Sequence, residues 1–112
     1  MQVVKASSAQ DRPNVHNVSV KKLSDTEHAQ VLFMELKPGE ELKSHITPVD
    51  VFFYVLDGSG IVEIGEEKEK LDKDTLIESP AGPPYRLFND GKEPFKFLVV
   101  KTPRQKETTK VL

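Results

Sequence analysis

Few residues in this chain carry reactive chemistry. There are three histidines, His16, His28 and His45, and no cysteine. The lack of cysteine excludes disulfides, thiolate metal sites and thiol nucleophiles. His45 lies in the stretch PGEELKSHITPVDVFFYVLDG, from Pro38 to Gly58. That stretch opens on a Pro-Gly turn and closes on an Asp-Gly turn. An imidazole with an ordinary pKa near 6.5 can serve as acid or base at neutral pH. His16 and His28 sit in polar segments, where a lone histidine is expected at the surface. Tyr85 adds a phenol, a useful acid once its pKa is lowered. No phosphate-cradling glycine loop, nucleophile elbow or zinc-knuckle spacing is present.

The elements that must hold these groups read as short strands. Val18 and Val20 alternate within Val15–Leu23. Ser24–Glu27 is expected as a hairpin turn, because Leu32, Met34 and Leu36 in Ala29–Leu36 keep a strand period and not a helical stripe. Lys37–Glu40 is a turn, and Glu41–Thr47 a strand carrying His45. Pro48 marks a break or bulge. Val51–Leu56 is the most apolar run, β-branched and aromatic as a buried strand should be. Asp57–Gly60 turns it back into Ile61–Ile64. Eight of the ten residues from Gly65 to Asp74 are charged, so this segment is a solvated hairpin with Leu71 as its single inward anchor. Thr75–Glu78, Tyr85–Phe88 and Phe95–Lys101 complete about nine strands, with the proline-rich loop Ser79–Pro84 between two of them. Glu35 and Glu78 are the carboxylates able to orient His45 if their strands face inward.

A length of 112 residues allows one domain. We expect an arm over residues 1–14, an all-β domain over 15–102 and a polar, disordered tail over 103–112. The 16 basic and 18 acidic residues give a net charge of −2, so there is no basic field for nucleic acid. No apolar run reaches the roughly 18 residues of a membrane span, and the first residues lack a signal-peptide core. The expectation is a cytoplasmic protein without nucleic-acid or membrane partners.

The spacing of turns and of His45 resembles the cupin superfamily, in its small single-domain cupin 2 form. The first cupin motif runs Gly, five residues, His, one residue, His, three or four residues, Glu, six residues, Gly. Gly39, His45 and Gly58 match it, while Thr47 stands for the second His and Val51 for the Glu. The text FFYVLDGSG is similar to the family's FYVLEGEG. In the second motif Pro80, Gly82 and Asn89 match, Asp74 replaces a Gly and Tyr85 stands for the His. The fit spans roughly Leu32 to Thr102. It implies a double-stranded β-helix, a jelly-roll barrel whose mouth usually holds a divalent transition metal on three His and one Glu.

His45 is the one matched ligand position here. Thr47 is a poor ligand, Val51 none, and Tyr85 would need to lose its proton. No cofactor is therefore expected; the alternative is one divalent transition metal on substitute ligands. Asp50 neighbours Val51 and should face the opposite side of the strand unless a bulge near Pro48 re-aims it. The resemblance then implies a metal-free pocket of His45, Thr47, Val51, Phe53 and Tyr85, suited to a small, partly apolar ligand or to a structural or sensor role. The alternative is a cupin enzyme, of isomerase, lyase or dioxygenase type, with His45 and Tyr85 as acid and base. The outward residues Phe52, Tyr54 and Leu56, with the N-terminal arm, are the expected interface of a homodimer.

Overall fold

The computed structural model describes residues 1–105 and the backbone of Lys110–Val111. Ten strands run in chain order: β1 (Ser19–Asp25), β2 (Gln30–Leu36), β3 (Glu41–Ile46), β4 (Asp50–Asp57), β5 (Gly60–Ile64), β6 (Glu67–Leu71), β7 (Leu76–Ser79), β8 (Tyr85–Phe88), β9 (Phe95–Thr102) and β10 (Lys110–Val111). They form two five-stranded antiparallel sheets, ordered β1-β2-β9-β4-β7 and β10-β3-β8-β5-β6. This is the all-β jelly roll that the cupin resemblance implies.

The core follows from strand alternation. Val51, Phe53 and Val55 of β4 are buried, while Phe52, Tyr54 and Leu56 are half-buried on the other face. Phe95, Phe97 and Val99 of β9 face the same interior. The register sets Val99 beside Phe53 and Phe97 beside Val55. Phe53, Phe95, Phe97, Leu36, Leu42 and Leu87 are essentially free of solvent contact. Each such side chain contributes about 1.5–3 kcal/mol by leaving water.

Two boundaries differ from the sequence reading. The first strand begins at Ser19 and continues to Asp25, past an irregularity between Lys22 and Ser24. The turn falls instead at Thr26–Ala29, closed by the Thr26 N–H donating to the Ala29 carbonyl at 2.9 Å. Asp25 extends the strand because Lys22 and Arg104 both clamp its carboxylate. Before Ser19, a single 3-10 turn at Ala6–Ser8 is followed by a loop wound on Asn14. Its Oδ1 accepts the His16 and Val18 N–H groups at 3.1 and 3.3 Å, and its Nδ2 donates to the Val18 carbonyl at 2.7 Å.

The charged segment is a hairpin, β5 and β6, with the β6 residues before Leu71 exposed and Leu71 buried. Of the expected tail, residues 106–109 and 112 lie outside the described residues. The backbone of Lys110–Val111 pairs with Ile46 and His45 of β3.

Candidate functional site

His45 is held deep between the sheets, 4% exposed. Its strand loses regular register between Leu42 and His45. At His45 the register with β8 resumes and sets Tyr85 directly opposite. The two rings lie 4.1 Å apart, tilted by 57°. The Phe53 ring meets Tyr85 edge-on at 5.2 Å. The Thr47 hydroxyl, itself buried, donates to the Val49 carbonyl at 3.1 Å and is near enough to Tyr85 to oppose part of the rise in its pKa.

A cavity of about 190 Å³ opens beside this pair. Its polar lining is Asn14, His16, His45, Tyr85 and Lys101, and its apolar walls include Leu32, Met34, Leu42 and Val99. Of the five residues expected to form the pocket, His45 and Tyr85 line this space. Thr47, Val51 and Phe53 do not line it, and each is at most 2% exposed. Beside Val51 lies Ser79, whose buried hydroxyl has no hydrogen-bond partner among the described residues.

His16 is a correction. It is half-buried, and its ring centroid lies 4.9 Å from that of His45. The Asn14 loop delivers it from a segment that reads as polar surface. No spacing rule links it to His45, since the partners meet across the tertiary fold. Lys101 was also missed as a site residue, although its signal was present. Phe95, Phe97, Val99 and Lys101 share one parity on β9, so the inward face ends on a lysine.

The peptide of Lys43 sets the hydrogen-bond polarity of both imidazoles. His45 Nδ1 lies 2.6 Å from the Lys43 carbonyl. A carbonyl can only accept, so Nδ1 carries the proton and Nε2 keeps its lone pair. The Lys43 N–H donates to His16 Nδ1 at 2.9 Å, so the proton of neutral His16 sits on Nε2. Burial, then the nearby charges of His45, Lys43 and Lys101, pushes the His16 pKa down to about 4. Burial also lowers His45, against the opposing pull of the Lys43 carbonyl, and lowers Lys101. Tyr85 is pushed above its ordinary value by burial. Both imidazoles and the phenol are therefore neutral at pH 7.

The remaining candidates lie elsewhere. Asp50 is exposed and its carboxylate accepts the Ala81 N–H at 2.9 Å, so no bulge turns it inward. Glu35 lies 3.8 Å from Lys96, and Glu78 is exposed. The Lys43 carbonyl, not a carboxylate, orients His45. His28 is exposed beside Glu27.

Two antiparallel sheets closed around an inward histidine define a double-stranded β-helix. Residues 32–101 match the cupin domain family, Cupin_2, and the chain belongs to that family. It is 35% identical over 83 residues to the uncharacterized protein YrkC of Bacillus subtilis, covering 68% of this chain and 45% of YrkC. It is 30% identical over 66 residues to the tetracenomycin polyketide synthase protein TcmJ of Streptomyces glaucescens, covering 58% of this chain and 44% of TcmJ. The match thus spans less than half of either relative. Among solved structures, TT1209 from Thermus thermophilus superposes with a TM-score of 0.80 at 28% identity, covering 93% of this chain and 99% of that one. The polyketide cyclase RemF from Streptomyces resistomycificus superposes at 0.87 with 18% identity, covering 100% of this chain and 85% of RemF. At that identity the likeness to RemF concerns the fold alone.

Cupins commonly hold a divalent metal at this position, so the donor set can be tested for one. Among the described residues no three of His, Cys, Asp and Glu converge. The His16 Nδ1 lone pair is taken by Lys43, and its Nε2 carries a proton. Tyr85 keeps its proton, and Lys101 brings a positive charge to the same cavity. His45 Nε2 is left as a single lone pair, which does not fit a resident metal ion.

Proposed function

We propose that this cupin binds a small, partly apolar molecule in the His45 cavity without a metal. The observation that carries the reading is that His16, His45, Tyr85 and Lys101 line one apolar-walled space, with His45 Nε2 left bare and His16 Nε2 protonated. A few fixed polar groups on apolar walls is the usual make-up of a ligand site. At about 190 Å³ the space is below the roughly 300–1,000 Å³ of drug-sized pockets. The ligand is accordingly compact, and a fused polycyclic substrate would not fit.

The test is a 1H–15N NMR screen of the full chain against compact neutral, cationic and anionic fragments, beside elemental analysis of untagged protein. The expected result is saturable shifts at residues around the cavity, lost in Leu32→Trp, with metal well below one per chain. A stoichiometric metal that disappears in His45→Ala would overturn the reading.

An enzymatic role has one feature in its favour: His45 lines the cavity and keeps an unprotonated Nε2, as a general base requires. Tyr85 is a weak partner for it, because burial raises the phenol pKa. For assembly we propose a homodimer built on the half-buried outer residues Phe52, Tyr54 and Leu56 and the exposed Val3 and Val4 of the arm. Light scattering checks it, and a monomer at micromolar concentration would sink it.

A further inference from the structure

We propose that the cavity is an anion site, taking a compact monocarboxylate that also carries a hydroxyl near the carboxylate. This rests on the small-molecule reading above and names the class of ligand.

The first observation is a cation with no carboxylate partner among the described residues. Lys101 stands at the inward end of β9 and lines the cavity. Its ammonium donates to Gln105 Oε1 at 2.7 Å and makes no ion pair with a carboxylate among the described residues. Glu41 is near enough to influence His16, but the Arg86 guanidinium grips both its oxygens at 3.2 and 3.3 Å. A charge removed from water is costly unless it is paired. An entering carboxylate supplies that pairing.

The second observation is the fixed polarity of the two imidazoles. His16 Nε2–H is a donor and lines the same cavity as Lys101, so the two together offer N–H groups to a carboxylate. His45 Nε2 is an acceptor and repels a carboxylate oxygen. It favours a ligand group with a proton to give, which a neighbouring hydroxyl provides. Leu32, Met34 and Val99 then enclose the carbon skeleton. One ammonium and one imidazole N–H suit a monoanion; a phosphate dianion would call for more donors.

The test is an NMR titration of the full chain at pH 7 with 2-hydroxyisobutyrate, isobutyrate, isobutyramide and inorganic phosphate. We expect 2-hydroxyisobutyrate to bind tightest, isobutyrate several-fold weaker and the amide at least tenfold weaker than the matching acid. In Lys101→Met the acid should lose its advantage over the amide. His16→Phe, which keeps a flat ring but removes the N–H, should weaken the acids and leave the amide nearly unchanged. Equal binding of acid and amide in the wild type would overturn the anion site while leaving the small-molecule reading intact. Phosphate binding more tightly than either acid would overturn the carboxylate class. If no fragment of any charge shifts the cavity residues, both readings fall together.

Discussion

The two ends of the barrel keep their motif residues for different reasons. At the turn end, identity is dictated by packing. Gly58 has φ +76°, and a Cβ there would run into the Pro94 carbonyl oxygen. A Cβ on Gly60 would enter the Phe95 ring. Asn89 is buried and ties three segments: its Nδ2 donates to the Leu36 and Glu93 carbonyls at 2.9 and 2.7 Å, and its Oδ1 accepts the Gly91 N–H at 2.9 Å. At the mouth, three of the four positions that carry metal ligands in the cupin motifs are Thr47, Val51 and Tyr85. They pack adequately, yet the Ser79 hydroxyl beside them finds no partner among the described residues. The turn end holds what the fold needs. The mouth holds what a particular chemistry needs, and it can change while the barrel stands.

If that contrast holds, damage should scale with it. Gly58→Ala should be worst, because it combines a left-handed backbone with a clash against main chain. We expect a loss of about 4 kcal/mol or an insoluble product, read from urea unfolding midpoints. Asn89→Ala should follow at about 3 kcal/mol, since two carbonyls lose their donor in a buried place. Thr47→Val, at the mouth, should cost about 1 kcal/mol through the Val49 hydrogen bond. A Thr47→Val cost equal to that of Asn89→Ala would end the distinction between the two ends.

The mouth should also show in the pH dependence. His16 titrates near 4 when folded and near 6.5 when unfolded. Between those values the unfolded chain binds more protons, so stability falls as pH drops from about 6.5 towards 4. His45 is lowered too and acts in the same direction. The depressed carboxylates Asp25 and Glu41 lose their contribution lower, below about pH 4.5. Urea midpoints at pH 7 and 5 should therefore differ less in His16→Asn than in the wild type. An unchanged difference would place His16 in solvent. Smallest of all should be Glu69→Ala on the exposed β6 edge, within about 0.5 kcal/mol.

Much of the scaffold was legible because it is written locally. The β4 alternation, the Asp57–Gly60 turn and the lone Leu71 anchor each follow from period two and turn chemistry. The β1 boundary was harder, because Asp25 is kept in the strand by Arg104, far away in the chain. The site was half legible. His45 and Tyr85 came from motif spacing, but spacing could not tell which neighbours line a space and which fill it. Phe53 has the inward parity of a wall residue, and packing against the Tyr85 ring makes it core.

By itself the sequence determined the class of fold, the strand that carries His45 and the replacement of the usual ligands at Thr47, Val51 and Tyr85. Those are one-dimensional facts: alternation, turn residues and residue identity at a fixed offset. The tertiary structure alone decided that His16 joins His45, that one Lys43 peptide gives the two rings opposite hydrogen-bond polarity, and that Lys101 ends in their cavity. Each of these depends on a contact between residues distant in the chain, and the closing of the two sheets is what brings such residues together.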